Sequence, residues 1–111
     1  MKKTSSIILI LVLISIALVA SGCETPLAKI RQNPEKYVGK EVTTSGIVNS
    51  TTKIMNFVMF KLQDAENKNS MLVYMQPGSM LPPENSKVIV RGIVKQNFGF
   101  YIEAIEVKVL G

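Results

Sequence analysis

The stretch Glu41-Val42-Thr43-Thr44-Ser45-Gly46-Ile47-Val48 decides the fold, because its skeleton Val-x-x-x-Gly-Ile-Val returns as Val88-Ile89-Val90-Arg91-Gly92-Ile93-Val94. In both, β-branched residues fill alternate positions, which suits a pleated, half-buried face. Each carries a mid-strand glycine where a side chain would obstruct a sharp coil or bulge. Small barrels turn their corners at such positions. Val42, Thr44, Gly46 and Val48 share the parity expected to face inward.

Downstream, the pattern predicts a first strand over Glu41 to Asn49, a polar loop Ser50-Thr51-Thr52-Lys53, and a second strand over Asn56 to Asp64. Val58, Phe60 and Leu62 alternate there with Phe57, Met59, Lys61 and Gln63, so the set holding Lys61 and Gln63 is expected to face out. Asp64 to Asn69 reads as a hairpin turn and Ser70 to Gln76 as a third strand, with Met71, Val73 and Met75 inward and Leu72 and Tyr74 outward. The connection Pro77 to Ser86 is crowded with breakers and leaves room for no more than a helical turn. Lys87 to Gln96 and Phe100 to Leu110 form the fourth and fifth strands around a tight Asn97-Phe98-Gly99 hairpin. In the last strand Phe100, Ile102 and Ala104 hold one parity and Ile105, Val107 and Val109 the other. A bulge near Ala104-Ile105 would keep both sets on the core side.

Upstream, Thr25 is a candidate cap and Pro26 a first-turn residue for a short helix whose Leu27 and Ile30 dock on the body. Pro34 to Lys40 adds a second turn in which Gly39 can take positive φ, and Tyr37 and Val38 are expected to pack beneath the barrel. Lys2 and Lys3, the apolar run Ile7 to Ala20 and the small residues Ala20-Ser21-Gly22 read as an export signal. This run of fourteen residues, broken only by Ser15, spans about 21 Å as a helix, short of the roughly 30 Å of bilayer hydrocarbon. The expected organisation is a signal peptide over 1–22 and one domain over 23–111, with a tether at 23–25, helix and turn at 26–40 and barrel at 41–110. Without Lys2 and Lys3, eleven basic residues face eight acidic ones, a net charge of +3.

Leu18-Val19-Ala20-Ser21-Gly22-Cys23 resembles the lipobox of prokaryotic lipoprotein precursors, although Ala20 stands where leucine is commonest. The resemblance implies cleavage before Cys23 and a diacylglyceryl group on its sulfur, making membrane lipid a partner. The chain has only this one cysteine, which rules out an internal disulfide. Two acyl chains hold stably where one does not, at about 0.8 kcal/mol per buried methylene. The expected location is the extracytoplasmic side of a cell membrane.

Five strands, glycines bending the first and fourth, and a tight last hairpin resemble the OB-fold, an all-β five-stranded Greek-key barrel. Asn33-Pro34-Glu35-Lys36-Tyr37-Val38-Gly39-Lys40-Glu41-Val42 followed by Gly46-Ile47-Val48 is similar to the opening of small exported OB-fold lipoproteins and of tRNA anticodon-binding-like domains. Ligands of such folds lie across strands two and three, flanked by the first-to-second and fourth-to-fifth loops. The resemblance places Phe57, Met59, Lys61, Leu72 and Tyr74 on that face, with Phe98, Phe100 and Tyr101 at its edge. Arg91 and Lys95, sharing one parity of the fourth strand, add basic charge. Against this, Phe57 and Met59 could lie under the helix or the long connection, Phe100 could be core, and Arg91 and Lys95 could be an ordinary solvated pair. The six methionines read as core fillers.

With no histidine, the chain cannot assemble a Ser-His-Asp triad or the usual zinc site. Its isolated glycines lack phosphate-loop spacing. The expectation is therefore no catalysis and no cofactor. The leading function is a membrane-anchored binding module for an oligomeric ligand, either oligosaccharide, peptide or nucleic acid, or for an envelope protein. The alternative is a structural or assembly accessory of a membrane complex. The second-to-third-strand face separates them: exposure of Phe57, Lys61 and Tyr74 around a groove favours binding, and burial under the helix favours the accessory.

Overall fold

The computed structural model describes residues 24–110. The signal-peptide reading and Cys23 lie outside the described residues. A short helix α1, Leu27–Gln32, and a single 3₁₀ turn, Pro34–Tyr37, lead into five strands: β1 Glu41–Ile54, β2 Phe57–Gln63, β3 Ser70–Met75, β4 Lys87–Gln96 and β5 Phe100–Val109. They close into a barrel in the order β1-β2-β3-β5-β4. All neighbours are antiparallel except β3 and β5.

The two echoed stretches pair with each other. Antiparallel register sets Val42 against Gly92, Thr44 against Val90 and Gly46 against Val88, so each glycine faces the leading valine of the other copy. Both glycines are required by space. A Cβ on Gly46 would come within 2.5 Å of the Gln63 carbonyl oxygen, where β1 passes from pairing with β4 to pairing with β2. A Cβ on Gly92 would run into the Glu103 carbonyl oxygen and lie 2.7 Å from Ile102 Cγ2, beside the bulge that lets β5 bend. The corner-turning role expected of them is therefore a close approach of backbone to backbone.

Inward parities follow the alternation: Val42, Thr44, Val48, Val58, Phe60, Leu62, Met71, Val73, Val88, Val90, Val94, Ile102 and Ala104 are buried. In β5 the extra residue is Ile105, since Arg91 pairs with Glu106 and Gly92 with Ala104. Phe100, Ile102, Ala104 and Val107 consequently all reach the core, but Ile105 and Val109, expected on the core side with Val107, stay exposed, because the bulge restores inward parity only at Val107 and the strand end runs past the core. The Gln76–Ser86 connection contains no helix. Closure comes instead from α1, which packs on β1 and β3 and buries Leu27 and Ile30 in the core cluster.

Three expectations are corrected. Ser50 to Lys53 is strand, not loop: β1 runs to Ile54 through a bulge at Ser50, whose φ is +51°, and the hairpin turns on Met55-Asn56. Threonine is a good strand former, and a hairpin wet on both sides needs no apolar alternation. Thr25 does not cap α1; Pro26 holds that position without a side-chain bond, and the Thr25 amide donates to the Thr43 carbonyl at 2.7 Å. Tyr37 packs against the core, but Val38 is 39% exposed and bridges Val94 through its backbone.

Thr44 Oγ1 is buried in the barrel without a hydrogen-bond partner. An unmade buried hydrogen bond costs about 1–3 kcal/mol, and valine has the same shape. Thr44→Val should raise the unfolding free energy by about 1 kcal/mol in denaturant titration; a loss of stability would mean that the hydroxyl is satisfied.

Candidate functional site

Register fixes the outer face of β2, β3 and β5 as two cross-strand rows. One runs Asn49, Lys61, Leu72, Tyr101, Lys95; the other runs Thr52, Met59, Tyr74, Glu103, Ile93. Tyr74 and Tyr101 meet diagonally between the rows, their ring centroids 4.7 Å apart and their planes tilted by 45°. Such aromatic pairs contribute about 0.5–1.5 kcal/mol beyond their buried area, so the two rings form a fixed platform. Neighbouring strands lie about 4.8 Å apart, which places the Lys61 and Lys95 backbones about 14 Å from each other across Leu72 and Tyr101.

An open cleft of about 290 Å³ lies on this platform, lined by Leu72, Tyr74, Asn97, Phe98, Gly99, Phe100 and Tyr101. One wall is the β4–β5 hairpin. Phe98 sits at its tip, fully exposed and at φ +57°, and Gly99 follows at φ +129°. A left-handed conformation strains an L residue by about 1–2 kcal/mol, and glycine or asparagine would relieve it. At the far end of β3 stands the β1–β2 hairpin, where Ile54, Met55 and Phe57 are all exposed, Met55 at φ +54°. Two strained turns thus hold large apolar side chains in water at either end of the platform.

Of the residues singled out from sequence, Lys61, Met59, Leu72, Tyr74 and Tyr101 share the face, with Phe57 at one end and Phe98 at the other. Phe57 is 62% exposed, and it and Met59 belong to β2, whereas the main partners of α1 are β1, β3 and the 3₁₀ turn. Phe100 does both jobs suggested for it, packing on the core and lining the cleft. Lys95 joins the platform next to Tyr101 and lies 3.8 Å from Glu103, a half-exposed pair. Arg91 is not brought there. It stands between Thr43 and Glu106, with Nη1 3.4 Å from Glu41 Oε1, as a solvated ion pair. The sequence reading missed Asn49, the last residue of the expected first strand, which pairs with Lys61, and Thr52 and Ile54, which join the face because β1 continues past the bulge and carries Met55 at its turn; the threonine-rich run was the available signal.

A second open depression, about 360 Å³, lies between α1 and the β2–β3 loop and is lined by Glu24, Asp64 and Glu66 among others. Asp64 is engaged within its own loop. Asp64 accepts from Asn69 Nδ2 at 2.8 Å and from the Lys68 and Asn69 amides, and the Asn69 side chain leads in holding its carboxyl below the ordinary 3.8. Among the described residues no cluster of metal-ligating side chains occurs, and no helix is long and apolar enough to cross a membrane.

No family model matches the sequence, and no curated protein matches it. Solved structures do. Asparaginyl-tRNA synthetase from Pyrococcus horikoshii superposes on 78% of the chain with a TM-score of 0.64 at 18% identity; the chain spans 23% of that enzyme's length. An OBody, AM1L10, bound to hen egg-white lysozyme gives a TM-score of 0.61 at 24% identity, covering 68% of this chain and 84% of its own. The barrel is OB-fold-like. The Gln76–Ser86 connection carries no helix, and α1 packs on β1 and β3.

Proposed function

We propose that the chain is a membrane-anchored, extracytoplasmic, non-catalytic OB-fold module that binds an oligomeric ligand across the Tyr74–Tyr101 platform. The observation that carries this reading is the uncovered face: Lys61, Leu72, Tyr74 and Tyr101 lie outside the barrel while α1 directs Leu27 and Ile30 into its interior. Flat rings flanked by lysines suit planar or ring-shaped repeat units carrying negative charge, bases and acidic sugars alike. Stacking on such rings contributes about 1–3 kcal/mol per unit in nucleic-acid cases. The OBody bound to lysozyme is a protein of this fold engaging another protein, and the exposed Ile54-Met55 tip favours, as a second reading, docking on an envelope protein.

The test titrates the chain from Glu24 onward with single-stranded oligonucleotides, anionic oligosaccharides and peptides at low salt. Binding that drops about tenfold in Tyr101→Ala, with an unchanged fold by circular dichroism, supports the platform. A flat response to all three ligand classes removes it and leaves the docking reading. For the anchor, mass spectrometry of the membrane fraction should find acyl mass on Cys23, and Cys23→Ala should leave the membrane or stay uncleaved; an unmodified cysteine overturns that part alone.

A further inference from the structure

Closure of the barrel is uneven. β3 and β5 pair over only three residues each, Leu72–Tyr74 with Tyr101–Glu103, while β5 runs on to Val109 with β4 on one side and no strand on the other. The Leu110 amide donates to the Lys87 carbonyl at 2.7 Å. Alternation along an antiparallel ladder then turns Lys108 and Glu106 toward β4, and the backbone N–H and C=O groups of Val107 and Val109 toward the open side. Among the described residues no other hydrogen bond reaches these groups. A gap of about 140 Å³ separates Ala104 to Val107 from Met75, Gln76 and Ser79.

The side of β1 not paired with a strand around Thr43 and Val48 is covered. Beside β1, the Val48 amide donates to the Ser86 carbonyl at 2.9 Å, the Asn85 amide to the Val48 carbonyl at 2.8 Å, and the Thr25 amide to the Thr43 carbonyl. On β5, Ile105, Val109 and Leu110 remain 43%, 47% and 45% exposed. An open edge with apolar side chains is a pairing template. Bulges and lysines often blunt such edges, and Ile105 and Lys108 are both here. The sequence Ile105-Glu106-Val107-Lys108-Val109 is nevertheless complementary to its own reverse: about a two-fold axis at Val107, Glu106 meets Lys108 of a second copy and Ile105 meets Val109.

We propose that β5 is a self-association edge, through which two copies pair antiparallel about Val107. The two outward-pointing Val107 backbones exchange both hydrogen bonds, two Glu106–Lys108 pairs lie on the outer face, and the exposed Ile105 and Val109 cover each other. Five residues of strand bury less than a standard interface of about 800 Å² per partner, so the dimer is weak in dilute solution and depends on crowding of copies in one membrane. That last dependence rests on the anchor proposed above; the edge itself does not, and it leaves the ligand platform untouched.

The test is charge reversal read by self-association. The full chain is reconstituted in neutral-lipid vesicles with donor- and acceptor-labelled copies, and energy transfer is measured against surface density. Glu106→Lys and Lys108→Glu should each weaken association about tenfold, and the double variant should restore it to within about threefold, because the pairs re-form with signs exchanged. Thermal melts of each variant separate loss of pairing from loss of fold. Association through the apolar residues 7–20 would ignore all three substitutions. No density-dependent transfer in the parent chain, single variants that pair normally, or a double variant no better than the singles would each overturn the proposal. Since the readout contains no ligand, its failure is independent of failure of the binding platform.

Discussion

Gly92→Ala is expected to cost the domain about 3 kcal/mol, lowering its melting temperature by roughly 15 °C, with Gly92→Val failing to fold. Gly92 has an ordinary negative-side backbone, so the penalty comes from space: the new methyl meets the Glu103 carbonyl oxygen, Ile102 Cγ2 and Ala104 Cα, two of the three on backbone that cannot rotate away. Relief would require β5 to pull back from β4 at the bulge, opening the longest ladder in the barrel. Gly39 supplies the contrast. Its φ is +82° with nothing near a built Cβ, so it needs a conformation and not a void, and Gly39→Asn should cost well under about 1 kcal/mol. Differential scanning calorimetry of the two variants checks both; equal and small losses would contradict the close β4–β5 approach.

Ile30→Ala should remove about 3 kcal/mol. Ile30 is fully buried in the core cluster although it lies on a helix of only six residues. Six residues are too few for a helix to persist in water by propensity, so α1 is held by docking, and the docking is held by Leu27 and Ile30. Truncating Ile30 leaves a cavity at the barrel end that the helix closes and also releases the helix. The measurable signature is a double one: reduced stability in urea, and faster hydrogen exchange at the Thr25 amide, which bonds to Thr43. If Ile30→Ala matches the parent chain in both, the end of the barrel is closed by something other than α1.

Parity explains how much of this was legible beforehand. Alternation assigns a strand residue to the inside or the outside, and it did so correctly for Val42, Thr44, Val48, Val58, Phe60, Leu62 and Val73. The β5 bulge was legible too, because a change of apolar parity within one strand has no other cheap resolution than the extra residue at Ile105. Parity does not say which side of a closed barrel an outward residue occupies. Arg91 and Lys95 share one parity, yet register sends Lys95 to Tyr101 and Arg91 to Thr43 and Glu106. The face is set by cross-strand register, and register depends on Ser50, a bulge whose polar neighbours read as a loop. The uncovered edge of β5 was invisible for a related reason: a short β3–β5 seam is a property of pairing, not of either strand's residues.

The reciprocal pairing of the two Val-x-x-x-Gly-Ile-Val stretches bears on the order of assembly. Hairpins β1–β2 and β4–β5 turn within two and three residues and β2–β3 within six, so they can zip early with little entropy to overcome. Bringing Gly46 to Val88 joins segments more than forty positions apart, and a long loop must close before that contact yields anything. The union of β1 with β4 is therefore the slow, committing event, and a newly made chain passes first through a three-stranded meander and a separate hairpin awaiting each other.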